Sequence, residues 1–440
     1  MEPLTESMIA LIEEAALAET GKDMVHGMVK GLQEAGIDAQ EVLDNLYKMT
    51  PPYSKADIAK AMADTLRAHR TVITNAKVFL NGKFIPGGIS FNRTILGVKG
   101  PQVTGGIDAQ GCYLIPGLID IHTHGAMNED ASDGKGEGLV KMSRYYAAGG
   151  VTSWCPTTMT LKEPELTKAM AAIRAYERPA DGAKVAGIHL EGPFLSLKKC
   201  GAQNPDNLHA PDADMFHRLN EASGGRVRLV TVAPEEPGAI PFIREVSQTC
   251  TVSLGHTTAD YDTARAAYEA GASHATHLFN AMPALGHREP GVVAAASDAG
   301  ATVELITDGF HIHPAVVRLV HRLFGEKLVL ISDSLRCAGM PDGDYELGGL
   351  PITLTGGVAR LRGSSTLAGS SVHLMDGLRR AVSFGVPLEA AVTAATLAPA
   401  RAIGMADRIG SLWAGCAADF VLLDEDLNVQ AVYIDGVKVR

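Results

Sequence analysis

The chain has 440 residues, a hydrophobic fraction of 46% and a charged fraction of 20%, which are values of a globular protein. Its formal net charge is −11, and no long basic run offsets it, which argues against nucleic acid and anionic membranes as partners. The six cysteines are scattered without a CxxC pair, which argues against a disulfide framework or a zinc knuckle.

The amino-terminal residues show no basic segment followed by a short apolar core, as a secretory signal would. No apolar run approaches the roughly 20 residues that span a bilayer. We therefore expect a cytoplasmic protein without a membrane partner.

In chain order, the first predicted part is a helical extension over residues 1–70. Apolar residues between Met8 and Leu17 recur at helical spacing, and Ser54 begins a stretch that resembles a capping box. The segment carries no recognisable chemistry, and we interpret it as a contact for another subunit or a partner.

Two flanking segments, 71–114 and 405–440, have the texture of β-strands. Asn81-Gly82 between alternating segments predicts a hairpin, and similar strands return in 419–423 and 431–436. We expect both flanks to form one small β-sandwich domain, into which the rest of the chain is inserted.

The middle of the chain, 115–404, alternates between strands and helices and predicts an α/β fold of the (β/α)₈ TIM-barrel type. The helix between the sixth and seventh strands is weakly marked. The predicted strands are 118–122, 151–155, 185–191, 227–233, 251–256, 273–278, 302–307 and 328–333, with helices at 137–148, 163–177, 238–248, 260–270 and 314–324.

Metal-ligand and acid–base residue types follow these strands, at the end where such barrels carry their chemistry. Any one of the 15 histidines alone is more often a core or surface residue than a ligand, but several at matching strand ends indicate a metal site. The residues are His122, His124, Glu191, His256, His277, Asp308, His311 and Asp333.

Glu191, His256 and His277 form a three-ligand set that leaves one position for water, as a catalytic zinc site needs. His122 and His124 lie on one face of a strand and predict a second ion, with Glu191 bridging the two. A divalent ion lowers the pKa of its water to about 7. Asp333 is the predicted general base, and its structural alternative is to cap the following loop.

The motifs resemble the amidohydrolase superfamily and, within it, the N-acetylglucosamine-6-phosphate deacetylases. The resemblance covers residues 71 to 440 and does not include the helical extension. The motifs that carry it are PGLIDIHTHG (116–125), GIHLEGPFLSLKKCGAQNP (187–205), SLGHTTADYD (253–262), THLFNAMPALGHREPG (276–291), DGFHI (308–312), LAGSSVHLMDG (367–377) and AATLAPARAIG (394–404).

The resemblance implies metal-dependent hydrolysis of the N-acetyl group of an amino-sugar 6-phosphate, in amino-sugar metabolism. One or two ions per subunit are implied, with zinc first and iron, manganese or cobalt as alternatives. It also implies a homodimer in which Arg288 reaches across to the neighbouring subunit. The implied substrate-binding residues are Ala202, Gln203, Asn280, Ala281 through its backbone, Arg288, His311, Thr366, Leu367 and Ala368.

Gln203 is a departure, because the family usually has a histidine there that faces the substrate. Glutamine donates a hydrogen bond but cannot carry a proton, so weaker turnover or another amino sugar is expected. This keeps N-acetylgalactosamine 6-phosphate, or another N-acyl or cyclic amide, open as the substrate. A non-catalytic sugar-phosphate-binding paralogue is a further alternative, against which the intact set of Glu191, His256, His277 and Asp333 argues.

Overall fold

The structure is a computed structural model that describes residues 70–103 and 105–440. The predicted helical extension therefore lies outside the described residues, except for its last position. Within the described ranges, every helix is too short or too polar to cross a membrane.

The described chain begins with strands of the small β-sheet domain. Leu80 pairs with Lys83 across Asn81 and Gly82, whose φ angles of 50° and 76° suit a tight hairpin turn. The predicted hairpin is thereby confirmed. The strands are β1 (Thr71–Leu80), β2 (Lys83–Phe91), β3 (Ile95–Lys99), β4 (Ile107–Asp108) and β5 (Tyr113–Pro116).

Eight parallel strands then form a nearly closed barrel, as the sequence predicts. The strands of this region are β6 (Leu118–Thr123), β7 (Gly125–Ala126), β8 (Glu129–Asp130), β9 (Val151–Thr158), β10 (Lys184–Val185), β11 (Ile188–Glu191), β12 (Val227–Val232), β13 (Thr251–Leu254), β14 (His274–Ala275), β15 (Thr302–Ile306) and β16 (Leu328–Ile331). The barrel consists of β6, β9 and β11 to β16, and helices cover its outer face, so its strands are apolar and buried. The N–H of Asp333, just after β16, donates to the carbonyl of His122 in β6 at 2.9 Å, which links the last strand to the first.

Helices follow most of the barrel strands. They are α1 (Gly136–Ala148), α2 (Glu163–Arg174), α3 (Ala213–Ala222), α4 (Ala239–Val246), α5 (Tyr261–Ala270), α6 (Gly291–Ala299) and α7 (Pro314–Phe324). Short 3₁₀ helices lie at Ala131–Asp133, Leu197–Lys199, Pro205–Asn207 and Gly325–Lys327. The weakly marked helix is α6. Its alanine- and valine-rich sequence gives little contrast between a polar and an apolar face.

An antiparallel sheet that the sequence reasoning did not predict follows the barrel strands: β17 (Gly343–Leu347), β18 (Leu350–Thr355) and β19 (Val358–Leu361). Its two turns are Gly348-Gly349 and Gly356-Gly357, all with positive φ, which only glycine adopts at little cost. The buried Ile352 and Leu354 of β18 pack toward the barrel in one apolar cluster with Met159 and Leu335. The insertion thus covers one side of the barrel mouth.

The chain ends with α8 (Leu374–Ser383), α9 (Leu388–Ala395), α10 (Leu397–Ala402), β20 (Phe420–Leu423), β21 (Val429–Ile434) and β22 (Val437–Lys438). Strand β20 pairs with β5, which gives an eight-stranded sheet built from both flanks of the barrel. Stacked rings of Phe420 and Tyr433, 4.5 Å apart, and the edge of Phe91 form its core. A separate β-sheet domain is confirmed, and the domain boundaries given above stay predictions.

Candidate metal centre and substrate pocket

A pocket of about 480 Å³ opens at the carboxyl ends of the barrel strands. Polar side chains form its floor, and residues of the loops after the strands and of the β17–β19 insertion form its walls. The lining residues include His124, Glu191, Ala202, Gln203, His256, His277, Asn280, Ala281, His311, Asp333, Leu347, Thr366 and Leu367.

The first group of donors on this floor consists of Glu191, His256 and His277. The Nε2 atom of His277 lies 3.0 Å from Oε1 of Glu191 and 3.0 Å from Nε2 of His256. The two histidines have φ values of 46° and 29°, and a non-glycine residue with positive φ costs about 1–3 kcal/mol. The surrounding fold therefore enforces a backbone that turns both rings toward Glu191. We call these three residues the front set.

The second group consists of His122, His124 and Asp333, which we call the back set. Nε2 of His122 and Nε2 of His124 lie 3.3 Å apart, and Oδ1 of Asp333 lies 3.5 Å and 3.4 Å from them. Both Glu191 oxygens contact the back set: Oε1 contacts the front histidines and also lies 3.4 Å from Nε2 of His122, and Oε2 lies 3.2 Å from Nε2 of His124. Glu191 therefore lies between the two sets, as the prediction of a bridging carboxylate requires.

The protonation pattern of the rings shows that this donor set fits a divalent cation. Nδ1 of His124 faces the carbonyl of Thr157, and Nδ1 of His256 faces the carbonyl of Lys199 at 2.8 Å. A carbonyl only accepts, so each neutral ring carries its proton on Nδ1 and turns the Nε2 lone pair toward the centre. Nε2 of His122 and Nε2 of His124 lie 3.3 Å apart, and two such lone pairs repel unless a cation lies near them. This orientation by outer hydrogen bonds is typical of metal-ligating histidines.

The electrostatics of the centre point the same way. Burial alone would lower the pKa of His122, but the charges of Glu304 and Glu191 raise it well above the usual value. Burial would also lower the pKa of His124, but its hydrogen bonds with Asp333 and Glu191 raise that pKa to about 9. Conversely, burial would raise the pKa of Glu191 and of Asp333, but the charge of His122 holds both below their usual values. A centre with this many carboxylates needs positive charge, from protons or from a metal ion.

Glu304 is a buried acid that the sequence reasoning missed. It lies in the middle of β15, fully buried, and its Oε2 contacts Nδ1 of His122 at 2.8 Å and the backbone N–H of His277 at 3.0 Å. Its Oε1 contacts Nε2 of His274 at 3.1 Å. The available signal was a glutamate inside the apolar strand Thr-Val-Glu-Leu-Ile, because an acid is almost never fully buried without partners.

Gln203 is also bound into the centre. Its Nε2 donates to Oε2 of Glu191 at 2.6 Å, and its Oε1 accepts from the N–H of Thr160 at 2.7 Å. The side chain is 3% exposed, although it borders the pocket. Its amide is therefore committed to orienting Glu191.

The outer part of the pocket carries groups suited to an anionic ligand. Nδ1 of His311 contacts Oδ2 of Asp308 at 2.7 Å, which leaves Nε2 free for a ligand. Lys198 and Lys199 also line the pocket, and Nζ of Lys199 donates to the carbonyl of Met282 at 3.0 Å. The sequence reasoning missed both lysines, although they stand within one of its motifs.

Residues 113–439 match the sequence model of the amidohydrolase family. The chain belongs to the amidohydrolase family. It is a family of hydrolytic enzymes, so the predicted resemblance and enzyme class are confirmed.

Relatives and solved structures resemble this chain over most of its length. N-acetylglucosamine-6-phosphate deacetylase from Bos taurus is 38% identical over 342 residues, 75% of this chain and 84% of the bovine protein. N-acetylgalactosamine-6-phosphate deacetylase from Escherichia coli O157:H7 is 39% identical over 327 residues, 73% of this chain and 86% of that protein. The structure of a mutant N-acetyl-D-glucosamine-6-phosphate deacetylase from Mycobacterium smegmatis in complex with N-acetyl-D-glucosamine-6-phosphate has a TM-score of 0.80 at 35% identity and covers 84% of this chain and 99% of that one.

The structure brings most of the predicted site residues of this family member into one pocket. His122 lies behind the floor, fully buried, and contacts the pocket residues His124 and Glu191. Ala368 is buried in the apolar cluster of the β17–β19 insertion and does not line the pocket. Arg288 is exposed and lies outside the pocket of its own chain. The roles given to these residues stay predictions.

Proposed function

We propose that this protein is a divalent-metal-dependent deacetylase that hydrolyses N-acetyl-D-glucosamine 6-phosphate to D-glucosamine 6-phosphate and acetate. The observation that carries the proposal is the convergence of Glu191, His256 and His277 beside Asp333 on the floor of one pocket. The names of the relatives support the substrate class, because they act on 6-phosphorylated amino sugars. We place this activity in the cytoplasm, because a phosphorylated sugar is charged and does not cross a bilayer unaided.

For the metal, we propose zinc, held by the front set, with a second ion held by the back set and Glu191 shared. Imidazole and carboxylate donors also suit iron, manganese or cobalt. A divalent ion supplies Lewis acidity, which polarises a carbonyl and brings the pKa of water to about 7.

Asp333 is proposed as the group that moves the proton. Its carboxylate borders the pocket, and its Oδ1 lies 3.4 Å from Nε2 of His124. It would take a proton from the attacking water and give it to the departing nitrogen. The carbon–nitrogen bond then breaks, and the products are acetate and the free amine.

The substrate is proposed to lie with its sugar phosphate at the outer part of the pocket. Asn280 and the N–H of Ala281 would donate to hydroxyl or phosphate oxygens, and the free Nε2 of His311 would accept from a sugar hydroxyl. Ala202, Thr366 and Leu367 would form the walls against the sugar ring.

Arg288 is proposed to bind the phosphate of the substrate that lies in the pocket of the neighbouring subunit of a homodimer. It is exposed and lies outside its own pocket, and its planar guanidinium suits a phosphate. A symmetric dimer would place one such arginine at each of the two sites.

N-acetylgalactosamine 6-phosphate is the second candidate substrate. The Escherichia coli relative named for that sugar is 39% identical to this chain, and Gln203 replaces the histidine usual in the resembled group. The two sugars differ only in the configuration at one hydroxyl, so the pocket walls decide between them.

The test is a deacetylation assay with zinc-loaded protein on both 6-phosphorylated sugars and on their unphosphorylated forms. We expect turnover of N-acetylglucosamine 6-phosphate to exceed that of every other compound. In D333N, kcat should fall about 10²- to 10⁴-fold with the front ion retained, because the proton-transfer group is lost. Equal turnover without the phosphate would contradict the substrate class, and wild-type inactivity on every amide would favour a non-catalytic paralogue.

The dimer is tested by mixing two inactive variants, R288A and D333N. In a mixed dimer, the subunit with an intact Asp333 receives Arg288 from its neighbour, so random mixing restores about a quarter of the sites. Activity that stays at the level of the separate variants would contradict an arginine shared across the dimer.

A further inference from the structure

Glu304 is the one carboxylate among the described residues that contacts both donor sets from behind the pocket. It is fully buried in β15 and does not line the pocket, so it cannot touch a substrate. Its two oxygens meet three nitrogens: Nδ1 of His122, the backbone nitrogen of His277 and Nε2 of His274.

The contact with His122 has a chemical consequence at the opposite side of that ring. A carboxylate that accepts from Nδ1–H fixes the proton there and leaves Nε2 as the lone-pair nitrogen. It also makes the imidazole more basic, which strengthens its bond to a cation. Nε2 of His122 is the atom that lies 3.3 Å from His124 and 3.4 Å from Glu191, in the centre.

The contact with His277 acts on the backbone. His277 has a φ of 29°, and the N–H of the same residue donates to Glu304. An acceptor at this position offsets the cost of that conformation and holds the His277 ring at the front set. The back set is therefore tied to Glu304 through a side chain and the front set through a backbone group.

We propose that Glu304 is a positioning residue that fixes the tautomer of His122 and thereby sets the affinity of the back set for its metal ion. The proposal rests on the two-ion centre described under the proposed function. Its effect on the front set is smaller, because that contact involves no ligand side chain.

His274 makes the arrangement testable by a conservative substitution. Its Nε2 faces Oε1 of Glu304, while its Nδ1 faces the hydroxyl of Thr302, which can donate or accept. In E304Q, the amide oxygen can still accept from His122 and His277, while the amide NH₂ faces a His274 ring that changes tautomer. E304Q thus keeps the geometry and removes only the charge, whereas E304A removes both.

The experiment is a zinc titration of the full-length chain after removal of bound metal, in competition with a chelating dye, for wild type, E304A and E304Q. We expect wild type to bind two ions per subunit. In E304A, affinity for the weaker ion should fall about 10- to 100-fold, with a smaller loss in E304Q and little change for the tighter ion.

Asp419→Asn is the matched control. Asp419 is also a buried acid, 3% exposed, but it lies in the β-sheet domain and pairs with Lys184. In D419N, Lys184 still has Asp435 as a partner, 2.7 Å away. Thermal unfolding of all variants separates lost stability from lost metal affinity. If D419N weakens zinc binding as much as E304A does, the effect is one of general destabilisation and the proposal is wrong.

Three further outcomes would overturn the inference in different ways. Wild type that saturates at one ion would contradict the two-ion centre itself and, with it, the role of Glu304. Wild type with two ions, and E304A with the same two affinities, would contradict the role of Glu304 alone. A third ion that E304A loses would make Glu304 a ligand, together with His122 and His189, in place of a positioning residue.

Discussion

The two donor sets share Glu191 but are built differently. The front histidines line the pocket and lie on loops where φ is positive, a strained conformation for a residue other than glycine. This strained backbone turns both rings toward the pocket. In the back set, His122 is fully buried in a regular strand and is held by Glu304. Asp333 of the back set also has a positive φ, of 48°, and lines the pocket. The contrast therefore lies between the histidines: the front pair faces the pocket, while His122 lies behind it among the charges of the centre.

The largest effect is expected for E191Q, because this change affects both sets at once. The near-isosteric amide removes the charge that lies between the four histidines. We expect E191Q to lose both ions when zinc is equimolar with the protein. The value of kcat/KM should fall at least about 10³-fold, because the ions no longer polarise the substrate carbonyl, an effect of several kcal/mol on the barrier. Metal analysis of the purified variant checks this. If E191Q loses only one ion, the two sets are independent and the shared role of Glu191 is wrong.

H277N tests the front set alone. We expect loss of the tighter ion and a fall in kcat of about 10²- to 10³-fold, because the remaining ion lies behind the pocket floor. Zinc content and steady-state kinetics are measured on the same preparation. H373N is the control, because His373 stacks on Tyr145 and lies outside both sets and outside the pocket. Full activity in H277N would show that the front set does not act on the substrate.

The double variant H122N/H124N tests the back set. Zinc should fall from near two ions per subunit to one, and kcat by only about 10- to 100-fold, because the front set is intact. The same measurements apply. If H122N/H124N is less active than H277N, the back set and not the front set acts on the substrate.

The sequence predicted the parts of the site that depend on strand order. His122, His124, Glu191, His256 and Asp333 each stand at the end of a strand, and parallel strands in a barrel bring their carboxyl ends together. The barrel and the hairpin at Asn81-Gly82 followed from the same local rules.

The parts that the sequence did not reveal depend on packing across the barrel. Glu304 interrupts an apolar strand, and only the fold shows that His122, His274 and the backbone of His277 surround it. The β17–β19 insertion had a local signal in its two Gly-Gly turns, but it lies outside the strand–helix repeat and was overlooked. The sequence analysis interpreted Gln203 by comparison with the family it resembles. The hydrogen bond from Gln203 to Glu191 depends on a loop that folds back over the centre, which the sequence pattern does not reveal.

The smallest effect is expected for Q203H. A neutral imidazole also offers one donor and one acceptor, so it can keep both the contact with Glu191 and the contact with the Thr160 N–H. We expect both zinc affinities and kcat to stay within about fivefold of wild type, a change of about 1 kcal/mol.

Q203M is the matched variant, because it keeps the length of the side chain and loses both hydrogen bonds. The Glu191 oxygen that Gln203 holds is Oε2, the one that faces His124. Q203M should therefore weaken the back ion more than the front ion, by up to about tenfold. If Q203M weakens both ions equally, Gln203 orients the whole carboxylate; if it changes only the preference between the two sugars, Gln203 acts on the substrate and not on the metal centre.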